Sequence, residues 1–173
     1  MLLCRSKVIT AREVREGEFS LNGHLEDEDH VMDVQLVIHS KTREVLSAYA
    51  CMGKVPYGSL CRRAASQVSS LVGLRVEPGC YRQVFRLLGG EEGCTHLAEL
   101  SLDALRAFLP AWARKERETL TRALQGQGLS PAQVDERVSR HFMELGRALL
   151  PGTCVVYARG DGSPPGVKGG SEE

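Results

Sequence analysis

Strict alternation of apolar and polar residues between positions 31 and 39 is the feature that most limits what this chain can fold into. The apolar positions on one side of this segment are Met32, Val34, Leu36 and Ile38. Because successive side chains of a strand point to opposite faces, the pattern predicts a strand with one buried face. A turn at 40–43 and an apolar run at 45–52 follow, which together predict a β-hairpin. Two earlier strands are predicted at 7–14 and 19–25.

The second half of the chain has helical patterns instead. Apolar residues recur every three or four positions at 61–72, at 81–88 and from 97 onward, where Pro110 should kink or split the helix. The motif Ser130-Pro131-Ala132-Gln133 is a good start for a last helix, which ends before Pro151. Strands first and helices after are typical of α+β proteins. We therefore predict an antiparallel sheet of three to four strands with helices packed on one face, plus extra C-terminal helices.

The length of the chain and its composition suit one domain with a tail. The chain has 173 residues, of which 42% are hydrophobic and 25% charged, as in globular domains. A single α+β domain is expected over residues 1–158, with its core at 17–109 and a helical extension at 110–150. Glycine, proline and acidic residues from 159 to 173 predict a flexible tail.

The net charge limits which binding partners are expected, and the absence of an export signal predicts the compartment and hence the redox state of the cysteines. Lysine plus arginine equals aspartate plus glutamate at 22 each, so nothing favours nucleic acid or an anionic membrane, and self-association as a homodimer is compatible with zero net charge. No export signal and no long apolar run are found, which predicts a soluble cytoplasmic protein. The six cysteines are then expected to be reduced, and no C-x-x-C pair is present.

Cys94 and His96 are the sharpest candidates for a chemical site. They stand where a glycine-rich loop at 89–93 leads into a predicted helix. A helix N-terminus stabilises a thiolate, which makes a cysteine there a better ligand or nucleophile. The alternative is a small buried thiol beside a capping or surface histidine.

His30 and Cys61 are the other two candidates. His30 follows the acidic run 26–29 at the start of a strand, and such carboxylates favour the imidazolium ion and attract cations. The alternative for this run is a solvated acidic loop. Cys61 lies on the apolar stripe of its predicted helix, near the first turn, where a cysteine is usually a small core residue.

Several familiar chemistries have no motif in this sequence. It lacks the phosphate-binding G-x-x-x-x-G-K-[ST] loop, the dinucleotide G-x-G-x-x-G, the G-x-S-x-G elbow and the H-E-x-x-H zinc motif. A cysteine–histidine hydrolase stays open, since Cys94 at a helix start could be activated by His30.

The segment 89–100, with the sequence GGEEGCTHLAEL, resembles a bacterial family of unknown function whose members share a GGxxGCTHLxEL signature. The pattern of that family is also similar at 30–32 and at 56–57 with Cys61. The resemblance covers residues 17–109 and implies no particular activity.

The order of the elements is similar to that of the U-type iron–sulfur cluster scaffold proteins. Those have a strand meander, a ligand-bearing loop at the sheet edge, and helices that begin near further ligands. In this resemblance His30 takes the place of the aspartate ligand and Cys94 that of the final cysteine. Glu28 stands where the scaffold has its first cysteine, and Cys61 lies about one helical turn past the position of the second. The three-cysteine set is therefore not preserved.

What the resemblance implies is a mixed set of ligands at one end of the sheet. The expected ligands are His30, Cys61, Cys94 and His96, with Glu28 or Asp29 as further ones. Imidazole and thiolate suit zinc, iron or an iron–sulfur cluster better than magnesium. The resemblance thus implies a scaffold or carrier in cofactor assembly, with a protein partner that receives the cofactor.

Two other functions remain open at this point. One is a hydrolase or transferase with Cys94 as nucleophile and His30 or His96 as base. The other is a protein-interaction module whose cysteines only pack. We expect a binding protein rather than a classical enzyme.

Overall fold

The computed structural model describes residues 2–153 and 155–157. Its N-terminal half is a four-stranded antiparallel meander, with strands in the order β1-β2-β3-β4. The strands are β1 Ser6–Arg15, β2 Glu18–Glu26, β3 Val31–His39 and β4 Val45–Lys54. The predicted α+β class is confirmed: helices follow the sheet, including those near the C-terminus.

The register of the central strands explains which face of the sheet is buried. Leu21 of β2 pairs with Leu36 of β3, and Leu25 pairs with Met32. All four side chains are fully buried. Between them His24 pairs with Asp33 on the opposite, more exposed face. The alternation read from the sequence therefore separates a core face from a polar face, as expected for a half-buried antiparallel sheet.

The helices after the sheet are mostly where the sequence predicts them. They are α1 Ser59–Arg62, a 3-10 helix Arg63–Leu71, α2 Cys80–Leu88, α3 Thr95–Arg106, α4 Phe108–Gln125, α5 Pro131–Leu149 and a 3-10 turn Val155–Tyr157. The helical pattern at 61–72 predicts an α-helix, and this prediction is wrong, because most of this segment is a 3-10 helix. Three serine hydroxyls, at 66, 69 and 70, bond to carbonyls three residues earlier. Such bonds compete with the α-helical pattern and suit the tighter helix.

Helix α3 packs across the buried face of the sheet and forms the centre of the core. Its buried residues include Leu97, Leu100 and Leu105. At Gly23 of β2 an added Cβ would lie 3.0 Å from Leu100 Cδ1, so this glycine permits the close approach of helix and sheet.

The split predicted near Pro110 occurs slightly earlier. Helix α3 ends at Arg106 and α4 begins at Phe108. Pro110 therefore lies in the first turn of α4, where a missing N–H breaks no helical hydrogen bond. Phe108 is fully buried and makes an edge contact with Phe19, with ring centroids 5.9 Å apart.

The chain divides into two compact units, 1–114 and 115–173. In the second unit α5 begins with the predicted capping box, in which Ser130 Oγ accepts from Gln133 N and Gln133 Oε1 accepts from Ser130 N. Its small core contains Leu124, Val134 and Val138. The predicted single domain stays a prediction, and the predicted tail at 159–173 lies outside the described residues. No helix in the described part of the chain has the length and apolar character needed to cross a membrane.

Candidate functional site

The acidic run between β2 and β3 forms a tight turn around one buried carboxylate. The Asp27 N–H donates to the His30 carbonyl at 2.9 Å. Asp27 Oδ1 accepts from the backbone N–H of Asp29 at 2.9 Å and of His30 at 2.7 Å. The Asp27 side chain is consequently only 1% exposed, whereas Glu28 and Asp29 face solvent. Only one acid of the run therefore has a structural role inside the turn.

Asp27 also orients the imidazole of His30. Its Oδ1 lies 3.0 Å from His30 Nδ1. Because an ionised carboxylate only accepts, Nδ1 must donate, which leaves the Nε2 lone pair of neutral His30 free of this bond. Burial would raise the pKa of Asp27, but hydrogen bonds from Asp29, His30 and Arg5 outweigh it and hold that pKa well below its ordinary value.

Arg5, just before β1, joins this carboxylate to a second histidine. Arg5 Nε lies 2.7 Å and Nη2 2.6 Å from Asp27 Oδ2. The same Nη2 lies 3.3 Å from His96 Nε2. Guanidinium has no acceptor, so His96 Nε2 must accept and His96 is the neutral Nδ1–H tautomer in this arrangement. Burial lowers the pKa of His96, and so do the neighbouring His30, whenever that ring carries a proton on both nitrogens, and the positive charge of Arg5, so the neutral ring is favoured.

The two imidazoles are in direct contact. The ring centroids of His30 and His96 lie 4.3 Å apart, with the ring planes tilted by 49°. His30 comes from the end of the β2–β3 turn, and His96 comes from the first turn of α3. The fold thus joins two predicted site residues that are distant in sequence.

Cys94 is the N-cap of α3, so the helix begins at the loop-to-helix junction that the sequence predicted. Its backbone N–H donates to the Leu88 carbonyl at 2.8 Å. An added Cβ at Gly93 would collide with the Leu88 and Gly89 carbonyls, so the loop needs glycine there. The Cys94 side chain makes no capping hydrogen bond, is half-buried, and packs against the main core.

Cys61 lies in α1, at the same end of the sheet. Its neighbour Arg62 donates to the Met52 and Gly53 carbonyls at the end of β4, both at 3.2 Å. Val31, the first residue of β3, pairs with Lys54 at that end. The Cys61 thiol is half-buried and packs against the core.

The structure therefore assembles part of the predicted ligand set. His30 and His96 are in contact, while Cys94 stands two residues before His96 and Cys61 lies in α1, and both thiols pack on the core. Within residues 2–153 and 155–157, no three His, Cys, Asp or Glu side chains are arranged so that they could hold one metal ion. Glu28 instead accepts from the Cys4 N–H with both carboxylate oxygens, at 3.0 and 3.2 Å. The complete ligand set stays a prediction.

Two residues of the site were missed at the sequence level. Asp27 could have been found from its spacing, since an aspartate that accepts from the second and third following N–H groups is a common turn. Arg5 has no motif of its own. Only the β1–β2 register, in which Ser6 pairs with Glu26, brings Arg5 beside Asp27.

Comparisons with known proteins identify a family but no activity. The profile of a family described as a protein of unknown function (DUF2889) matches residues 5–109. The match begins at Arg5, earlier than the resemblance at 17–109, and includes every residue of the site described above. No curated protein and no solved structure matches the chain.

Proposed function

The chain belongs to a family of proteins of unknown function (DUF2889), and we propose that it binds a transition metal ion or an iron–sulfur cluster at the His30–His96 pair. The observation that carries this proposal is the Asp27–His30 hydrogen bond of 3.0 Å beside a second imidazole. A histidine that binds a metal through one ring nitrogen usually donates its other N–H to a carboxylate or carbonyl. Asp27 supplies that carboxylate.

The chemistry of the donor atoms favours a borderline metal ion. A neutral imidazole has one nitrogen lone pair that can bind a metal, and imidazole nitrogen suits zinc, iron and copper. Magnesium and calcium prefer sites built from several oxygen ligands, which a pair of imidazoles does not provide. The two histidines would be its imidazole ligands once Arg5 has left His96 Nε2.

Cys94 and Cys61 would complete the site as thiolates. Cys94 stands two residues before His96, at a helix N-terminus that stabilises a thiolate. Both thiols pack on the core in the present arrangement, so their side chains would have to rotate toward the histidines. Glu28 or Asp29, which are exposed, would be exchangeable ligands. Thiolates are also what an iron–sulfur cluster requires.

A scaffold or carrier role follows from the resemblance to the U-type scaffolds. The four-stranded antiparallel meander with the histidine-bearing turn and the start of α3 at one end supports this likeness. Such a role implies a protein partner that receives the metal or cluster. A homodimer is a further part of the proposal.

The first test is metal content and affinity. Wild-type protein purified without oxygen is expected to hold near-stoichiometric metal, and acid-labile sulfide with it would identify a cluster. Replacing His30 or His96 by alanine should weaken binding about tenfold or more, because each removes a direct ligand. His24→Ala is the matched control, since His24 lies on the other face and bonds to Asp33 at 2.8 Å.

The outcomes of this test separate the alternatives. Equal binding by all three histidine variants would place any metal elsewhere on the protein. Metal-free wild-type protein that takes up neither iron nor zinc on reconstitution would contradict the proposal. Loss of metal from Cys94→Ala, but not from Cys51→Ala, would establish the thiolate ligand.

A second candidate is a hydrolase or transferase with Cys94 as nucleophile. The Asp27–His30 pair favours it, because a base held by a carboxylate is the arrangement that activates such nucleophiles. In metal-free protein, Cys94 should then be alkylated by iodoacetamide several-fold faster than the exposed Cys51. His30→Ala should remove this difference. Equal rates at the two thiols, or no effect of His30→Ala, would eliminate the candidate.

A further inference from the structure

We infer that Arg5 regulates the site, because its guanidinium engages the same Nε2 lone pair of His96 that a metal would use. This inference rests on the proposed metal binding. Arg5 Nη2 lies 3.3 Å from His96 Nε2, and Nη2 is a donor only. The lone pair of that nitrogen can bind either the N–H or the metal, but not both. Arg5 must therefore leave His96 before His96 can bind a metal through Nε2.

The charge of Arg5 acts in the same direction as its hydrogen bond. The guanidinium is always protonated, and a metal cation at the His30–His96 pair would lie close to it. The two positive charges would repel each other in this half-buried site. Binding at the pair therefore favours a state in which Arg5 has turned away.

The contacts around Asp27 allow Arg5 to move without undoing the turn. Arg5 bonds only to Oδ2 of Asp27, whereas Asp29 and His30 bond to Oδ1. When Arg5 leaves, the three bonds to Oδ1 still hold the turn and the His30 ring. The Arg5 side chain is 29% exposed, so it has access to solvent.

The backbone beside Arg5 is anchored independently. The Cys4 N–H donates to the Glu28 carboxylate, and Ser6 already pairs with Glu26 of β2. The two neighbours of Arg5 thus hold the chain in place while its side chain changes partner. Arg5 can therefore change its partner by rotation of its side chain, without unfolding of the backbone segment.

Metal titration of the metal-free protein by calorimetry tests this role, with zinc as the probe. Arg5→Ala is expected to bind zinc about tenfold more tightly than wild type, since a charge-assisted hydrogen bond no longer competes. Arg12→Ala is the matched control, because it removes the same charge from an exposed position of β1. Its affinity should equal that of wild type.

A second measurement needs no metal. Nitrogen-15 NMR of the imidazoles should show His96 of wild type as the Nδ1–H tautomer, and Arg5→Lys should release it to a mixture. Lysine can keep an ion pair with Asp27, but its compact ammonium lacks the planar fork with which arginine reaches Asp27 and His96 together, so the contact with His96 should weaken. Arg5→Lys therefore tests the contact even where Arg5→Ala fails to fold.

The results distinguish this inference from the proposed function. If wild type binds zinc and Arg5→Ala binds it no more tightly, with the His96 tautomer unchanged in Arg5→Lys, Arg5 has no regulatory role and the metal site stands. If neither protein binds zinc, the proposed function fails and the regulation falls with it, whatever the tautomer. Tighter binding by Arg5→Ala together with a released His96 supports both.

Discussion

Replacing Asp27 by asparagine is expected to lower the free energy of unfolding by about 3 kcal/mol. The carboxylate receives bonds from the backbone of Asp29 and His30, from His30 Nδ1 and from Arg5. The amide oxygen of asparagine can replace one carboxylate oxygen as an acceptor. Its NH2 group, however, would face the N–H donors of Arg5 and could not bond to them. The nearly buried ionic cluster would then lose its negative charge. Urea unfolding of the two proteins at about pH 7 measures the difference.

The lowered pKa of Asp27 also predicts how the stability difference between wild type and Asp27→Asn varies with pH. Hydrogen bonds hold the pKa of folded Asp27 well below its ordinary value of 3.8. A carboxyl whose pKa is lowered by folding contributes stability above its unfolded pKa and loses it as the pH falls toward the folded value. The difference between wild type and Asp27→Asn should therefore be largest near neutral pH and shrink below about pH 4.

Asp29→Asn is the control for the Asp27 variant. Asp29 is exposed, and only its backbone N–H takes part in the turn. Its replacement should change the stability by less than about 0.5 kcal/mol at any pH. Equal stabilities of the two variants near neutral pH would show that Asp27 does not hold the turn. Asp27→Asn should also weaken metal binding about tenfold, because His30 loses its orienting partner.

The sheet could be predicted because its physical signal is local. One face of β2 and β3 is covered by α3 and the other is more exposed, so apolar and polar residues must alternate along each strand. The 3-10 helix at 63–71 carried no such signal. Its apolar stripe fits an α-helix, and the hydrogen bonds of its serine hydroxyls become visible only in the folded chain.

The sequence predicted which segments contribute to the site, but not which side chains of those segments meet. The glycine-rich loop before Cys94 identifies a helix start, because Gly93 has no room for a side chain. In the acidic run, however, composition does not say which carboxylate turns inward. Glu28 and Asp29 were the candidates, yet Asp27 is the buried one, because its position lets Oδ1 reach two N–H groups of the turn.

Arg5 shows a different reason for a missed residue. It is 22 positions from Asp27 and 91 from His96. Its place depends on the β1–β2 register and on the position of α3 over the sheet. Neither can be read from residues close to Arg5, so such a contact is beyond reasoning from local patterns.

The position of His96 depends on how closely α3 packs on the sheet, and Leu100 is the residue that makes this contact. Leu100→Ala is expected to lower the free energy of unfolding by about 3 kcal/mol, because a fully buried leucine leaves a cavity. Gly23→Ala alone should cost about 1 kcal/mol, since its Cβ would lie 3.0 Å from Leu100 Cδ1 and 3.2 Å from Ile9 Cδ1.

Combining the two substitutions tests whether the effect of Gly23→Ala on the free energy of unfolding changes sign when Leu100 is shortened. Once Leu100 is shortened, the added methyl group at Gly23 enters the cavity, and alanine is preferred to glycine inside a strand by about 0.5–1 kcal/mol. Gly23→Ala should therefore destabilise the wild type but stabilise Leu100→Ala, which denaturant unfolding of the four proteins measures. Equal effects in both backgrounds would mean that Leu100 does not press on Gly23. If they do press on each other, Gly23→Ala alone should also shift the NMR signals of His30 and His96, because α3 moves away from the turn that holds Asp27.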